Sequence, residues 1–180
     1  MDAGLEFSTF VRMHTAVLFR SAYLLTRNPV AAEDLVQETF VRLYPKWSRV
    51  AAADVPLAYV RRAMVNTFLN GRRAIRGREV LFAEPPDPVD GANWVGPPDP
   101  AELVSERDLA RRLLDSLPPR SRAVLVLKFF HDLTDAEIAA DLGCRQASVR
   151  SIVSRALSSL RTEAARRSQT SAAPLNGLNS

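Results

Sequence analysis

The chain has 180 residues, with 24 Lys+Arg against 20 Asp+Glu, a formal charge of +4 and a sequence pI near 9.8. Its single cysteine, Cys144, excludes an internal disulfide and fits a reducing cytoplasm. No apolar run approaches the roughly 20 residues that span a bilayer, and the opening MDAGLEFSTF lacks the basic-then-apolar layout of a signal peptide. The expectation is therefore a cytoplasmic protein without membrane insertion.

Charge is distributed unevenly. Residues 1–78 carry 12 basic and 6 acidic side chains, residues 79–100 carry five acids and no base, and residues 101–180 carry 12 basic and 9 acidic. The middle stretch, EVLFAEPPDPVDGANWVGPPDP, is crowded with proline. Each proline removes an amide donor and pushes its predecessor out of the helical region. The chain is thus expected to hold two helical domains, 1–78 and 101–167, joined by an acidic Pro-rich linker, 79–100. The small, polar segment 168–180 reads as a disordered tail. With no strand pattern, the fold class is all-α.

In the first domain, helices are expected near 4–27, 29–45 and 56–77, with Asn28-Pro29 opening the second and Asp54 and Pro56 opening the third. The second helix has two faces. Val36, Phe40 and Leu43, with Tyr44 at their edge, point one way; Asp34, Gln37, Glu38 and Arg42 fall on the opposite arc. Such a polar arc is either solvated or docks on a partner's helices. Residues 47–55, WSRVAAADV, read as a loop. Its Trp47 is either a core plug or part of the rim of a pocket for an unstacked base, since proteins that hold single strands combine basic grooves with aromatic or apolar base seats. In the third helix Leu57, Val60, Met64, Phe68 and Ile75 share one side, while Arg61, Arg62, Arg72, Arg73 and Arg76 fall within an arc of about 120°. Val65 and Leu69 lie in the same arc, where they could meet sugars or bases. Five arginines with few acids nearby repel one another unless an anion is present, which is the footprint of a phosphate backbone.

The second domain is expected to hold helices near 100–116, 118–131, 134–142 and 146–165. Its run LTDAEIAADLGCRQASVRSIVSRALSSLR carries the most specific local signal. Thr134 and Glu137 have capping-box spacing, and Gly143 stands where a helix needs a left-handed residue to stop. Val149, Ile152, Val153, Ala156, Leu157 and Leu160 form an apolar stripe, and the opposite side carries Arg150, Ser151, Ser154, Arg155 and Ser158. A short helix, a glycine turn and a second helix with an outward polar face make the helix-turn-helix pattern, whose second helix enters the DNA major groove.

Two runs resemble one family. DLVQETFVRLY (34–44), followed by Trp47 and Val50 and then by P..YVRRAMVN (56–66), resembles region 2 of bacterial sigma-70 family transcription factors; the Leu133–Arg161 run resembles region 4. Two such domains with an acidic connection look like the extracytoplasmic-function (ECF) group, and the wording is most similar to an actinobacterial, sigma-E-like subgroup. The resemblance implies an RNA polymerase sigma factor that binds core polymerase, reads the −35 element and melts and captures the −10 element. By position it implies that Asp34, Gln37, Glu38 and Arg42 dock on the clamp coiled coil of the polymerase β′ subunit. Residues 47–55 would capture a flipped −10 base, with Trp47, Arg61, Arg62, Asn66, Arg72, Arg73 and Arg76 along the −10 DNA. Arg145, Gln146, Ser148, Arg150, Ser151 and Arg155 would read the −35 duplex. It further implies the β flap as a contact, an anti-sigma partner and a nucleoid-associated location. Arg145 and Gln146 depart from the small capping residue that relatives often place at the start of the reading helix. The linker is either a plain tether or a nucleic-acid mimic in the positively lined RNA path.

No catalytic arrangement stands out. His14 and His131 have no metal-ligand spacing to another His or Cys, there is no Gly-rich phosphate loop, and Asp34 and Glu38 lack a third ligand. No metal, no cofactor and no enzymatic activity are expected. A stand-alone DNA-binding regulator and a nucleic-acid enzyme are the competing readings. Co-purification with core polymerase distinguishes the first of these from a sigma factor, and a metal-dependent nuclease assay would reveal the second.

Overall fold

The computed structural model describes residues 3–77 and 114–171, with side chains over 6–71 and 114–166. The linker 79–100 and the expected helix 100–116, apart from its last residues, lie outside the described residues. The chain divides into two compact units, Met1–Ser105 and Glu106–Ser180. Every regular element among the described residues is helical, and none of these helices is long and apolar enough to cross a membrane.

In the first unit, α1 (Ala3–Thr26) buries Thr15, Leu18, Phe19, Ala22 and Leu25, the three-four spacing of one helix face. Thr15 and Ser21 are tolerated inside because their hydroxyls donate to the carbonyls of Val11 and Val17, one turn back, at 2.6 and 2.9 Å. The helix ends at Arg27 in the left-handed region, φ 66°, its amide donating to the Tyr23 carbonyl at 2.8 Å. Asn28 then caps α2 (Pro29–Leu43), its side-chain oxygen accepting from the Ala31 amide at 3.0 Å, with Pro29 supplying the preset φ of a first turn. Leu35, Val36, Thr39, Phe40 and Leu43 of α2 are buried, and α2 packs chiefly on α1.

A 3₁₀ turn (Tyr44–Lys46) leads into α3 (Trp47–Ala51), so the expected loop is helical over its first half. Burial explains it: Trp47 and Val50, three residues apart, both reach the core, which a helical turn permits and an extended loop does not. Next comes α4 (Pro56–Gly77). The Val55 carbonyl accepts from Ala58 and Tyr59 at 3.0 and 3.3 Å, so Val55, not Asp54, stands at its N-cap position. Because α4 packs against α1, α2 and α3, its buried arc is wider than one stripe and takes in Val60, Met64, Val65, Thr67 and Phe68.

In the second unit α5 (Pro119–Leu125) follows Pro118 and buries Arg122 to Leu125 without a break. It widens into a π turn (Val126–Phe130), closed by the His131 amide donating to the Val126 carbonyl at 3.2 Å. The expected α-helix over 118–131 therefore changes pitch at its end, and the extra residue per turn leaves Phe129 and Phe130 exposed. Then come α6 (Asp135–Leu142) and α7 (Gln146–Ser171). Leu117, Leu125 and Ala156 form a core cluster with Leu114, Val153 and Leu160 packed on it, and Ile138, Ala139 and Val149 are buried where α6 meets α7. The last helix outruns its expected end and covers the first residues of the expected tail. Thr162 to Arg167 lack an apolar stripe, yet no Gly or Pro interrupts them, and without a breaker a helix propagates.

Candidate nucleic-acid interface

The capping box at the start of α6 is formed as its spacing requires. The Glu137 amide donates to Thr134 Oγ1 at 3.3 Å, and the Thr134 amide donates to Glu137 Oε2 at 2.8 Å. At the other end Gly143 adopts φ 59°, and the Cys144 amide donates back to the Ala139 carbonyl at 3.0 Å, which closes α6 and turns the chain. Arg145 stands at the head of α7, its carbonyl accepting from Ser148 and Val149 at 2.9 and 3.3 Å. A guanidinium only donates, so Arg145 cannot cap the first amides of the helix as a serine would. Its exposed side chain is left for other work.

Val149 and Ala156 anchor α7 in the core, which turns the opposite arc outward. Ser148, Arg150, Ser151 and Arg155 are exposed around that arc, and Arg145 and Gln146 are exposed at the entry to the helix. Arg145, Ala147, Ser148, Ser151, Ile152 and Arg155 line one shallow open depression; Arg150, Ser151, Ser154 and Arg155 line a second beside it. Ala147 and Ile152 add an apolar patch that sequence reasoning missed, because Ile152 counts toward the inward stripe although it is only half-buried. Arginine forks, hydroxyls and small apolar groups on one helix face are the equipment for reading duplex base edges.

Asp135, the first residue of α6, accepts from Lys128 Nζ at 2.7 Å and faces Arg150 Nε at 3.5 Å. The hydrogen bond from Lys128, with the added positive field of Lys128 and Arg150, holds its carboxyl below the usual aspartate range. Arg122 is buried, and it donates to the Leu114 and Leu117 carbonyls, each at 3.1 Å, ahead of α5.

In the first unit Asp34, Gln37, Glu38 and Arg42 are exposed along α2. Arg42 Nη2 lies 2.6 Å from Glu38 Oε1, and Gln37 donates to Glu33 Oε1 at 3.3 Å. Val30 and Val41, 66% and 51% exposed, fall in the same arc of the helix. This outward face therefore mixes charge with bare apolar surface, a mixture that binary patterning of the sequence overlooked.

On α4 Arg62 is exposed, while Arg61, Asn66 and Leu69 are half-buried. The side chains of Arg72, Arg73 and Arg76 lie outside the described residues. Two expectations are corrected. Val65, placed with the arginines, is 2% exposed, because three elements pack around the first half of α4. Trp47, placed with the −10 residues, is 4% exposed, edge-on to Phe7 at 5.0 Å and tilted against Phe10 at 4.9 Å. The ring is a core plug, one of the two readings its position offers; Ala52, Asp54 and Val55 are the exposed residues at this turn. Among the described residues no group of three His, Cys, Asp or Glu side chains is placed to hold a metal ion.

Residues 10–78 match the family model of sigma-70 region 2, and residues 107–160 match that of sigma-70, region 4. The RNA polymerase sigma-E factor of Streptomyces avermitilis is 38% identical over 160 residues, covering 88% of this chain and 85% of its own. That of Streptomyces coelicolor is 35% identical, covering 91% and 88%. Among solved structures, the sigma factor RpoE of Bartonella quintana, in complex with the anti-sigma factor NepR, superposes with a TM-score of 0.63. It is 25% identical and covers 87% of this chain and 95% of its own. CnrH, in complex with the cytosolic domain of CnrY, shares the fold at a TM-score of 0.58 and 22% identity, covering 89% and 88%.

Proposed function

The chain belongs to the sigma-70 family of RNA polymerase sigma factors, in its ECF group, which act in transcription initiation, and from that premise we propose how its surfaces divide the work. The outward face of α7 reads the −35 duplex: Arg145 and Gln146 at its entry, then Ser148, Ser151 and Arg155 along the groove, with Arg150 on its flank beside the phosphates. The observation that carries this reading is the fully exposed polar arc of α7, set at the end of a capped helix and a left-handed glycine turn.

Arg61, Arg62 and Asn66, continued by Arg72, Arg73 and Arg76, line the −10 strand, and the turn after α3 holds a flipped base against Val55. Melting then needs no nucleotide hydrolysis, because each captured base shifts the duplex equilibrium toward the open form. The α2 face of Asp34, Gln37, Glu38 and Arg42, with Val30 and Val41 between them, docks on the clamp coiled coil of the β′ subunit. The second unit engages the β flap. An anti-sigma partner holds the protein inactive in the cytoplasm until a signal releases it. The protein is a specificity subunit and performs no catalysis of its own.

The test is run-off transcription by core polymerase over a promoter library, with and without this protein. New start sites that appear only with the protein, together with its co-purification with core polymerase, are the expected result. Start-site choice indifferent to its presence overturns the reading.

A further inference from the structure

The geometry points to Asp135 as the residue that sets how strongly the second unit holds DNA phosphates, by keeping Arg150 and Lys128 engaged within the protein. This inference rests on the reading that α7 enters the major groove. Three consecutive elements meet at this carboxylate: Lys128 from the π turn, Asp135 from the first turn of α6 and Arg150 from α7. Arg150 follows Val149, which is buried, and precedes Ser151, near the centre of the exposed arc. One residue is about 100° of helix rotation, so Arg150 sits on the flank of the reading face, on the side of α6. In a helix-turn-helix the first helix crosses the sugar-phosphate backbone. A cation on that flank therefore meets phosphates more readily than base edges.

Asp135 stands in for that phosphate. Its oxygens lie 2.7 Å from Lys128 Nζ and 3.5 Å from Arg150 Nε. The Arg150 side chain is nonetheless 67% exposed, tethered but within reach of an incoming strand. The carboxylate lowers the cluster from two positive charges to one and repels an approaching phosphate. The cap of α6 does not need it, since Thr134 and Glu137 complete the capping box between themselves. Phosphate contacts add affinity for any sequence, and base contacts add discrimination. Asp135 thus restrains the sequence-independent part of binding and leaves the discriminating part to the centre of α7. It is a positioning residue and touches no DNA itself.

The experiment measures binding of the full chain to a short random-sequence duplex over a salt series, for wild type, Asp135→Asn, Arg150→Gln and the double variant. Each cation released to phosphate steepens the slope of log affinity on log salt by about 0.9. Asp135→Asn is expected to steepen it by about 1 to 2 and to tighten binding at low salt. Arg150→Gln is expected to change the slope little in the wild-type background and to remove about one unit in the Asp135→Asn background. Far-UV circular dichroism checks folding, and Asp135→Ser, which also suits a helix start, is the second variant. An unchanged or shallower slope for both Asp135 variants, or equal effects of Arg150→Gln in both backgrounds, overturns the inference and leaves the groove reading intact. A wild-type chain without affinity for duplex DNA overturns both.

Discussion

Arg145 and Arg122 show how one side-chain type acquires different work from its neighbours, the first exposed and the second buried. Arg145 is exposed at the head of α7 and unable to cap it, and on the proposed −35 reading it forms the bidentate contact with guanine O6 and N7. Arg145→Ala should therefore change which −35 bases are preferred, by about 1–3 kcal/mol at one position. Selection from a duplex library checks this, and uniform weakening across all variants would count against it. Asp135 makes a statement about pH. Its folded-state pKa is depressed, so the stability it contributes is complete above the unfolded-state pKa near 4 and is lost as pH falls through the lower folded value. Melting curves between about pH 5 and pH 2.5 should show Asp135→Asn losing less stability on acidification than wild type does. Nothing in the sequence around Arg122 sets this buried arginine apart from an exposed one. Replacing it by Met takes the Arg122 donor from the Leu117 carbonyl and leaves the Leu114 carbonyl only the Leu117 amide, and urea unfolding should register a loss of about 1–3 kcal/mol.

At the scale of elements, local chemistry decided most boundaries. Asn28-Pro29, Thr134 with Glu137, and Gly143 each punctuate a helix where their hydrogen-bonding or φ preference demands. A Cβ on Gly143 would meet nothing within 4 Å, yet the residue holds φ +59°. The cost of Gly143→Ala is thus conformational and not steric, about 1–2 kcal/mol, and Gly143→Asn should cost less. Chemical denaturation of both variants distinguishes that account from one based on crowding, in which Asn would be the worse. The failures have equally specific causes. Residues 47–51 looked like a loop because WSRVA has no period of its own; they are helical because Trp47 and Val50 must both reach a core built by α1, α2 and α4. The π turn at Val126–Phe130 has no sequence signature either; within it Val126 and Leu127 are buried.

At the scale of the whole chain, the proposed function divides the work among surfaces, each carried by a different helix. The acidic stretch 79–100, which lies outside the described residues and which we propose as a linker, gives the clearest prediction at this scale. Reversal of Glu84, Asp87 and Asp90 to Lys should impair initiation, read as abortive synthesis, more than promoter binding. Unchanged abortive synthesis would refute a mimic role and leave a tether. Much of this organisation was legible in one dimension. Helix periodicity, caps, the glycine turn and the block pattern of charge are local properties, encoded within a few residues of where they act. That reading reached the all-α class and the outward arc of α7. Tertiary structure alone decided which residues those arcs expose. Val65 and Trp47 are inside because several helices converge on them, Val30 and Val41 are outside because none does, and Arg150 is tethered because a turn from one helix and the start of another bring Lys128 and Asp135 beside it. Burial and ion pairing depend on neighbours distant in sequence, so a pattern of period 3.6 reports the direction in which a side chain points but not what stands there to meet it.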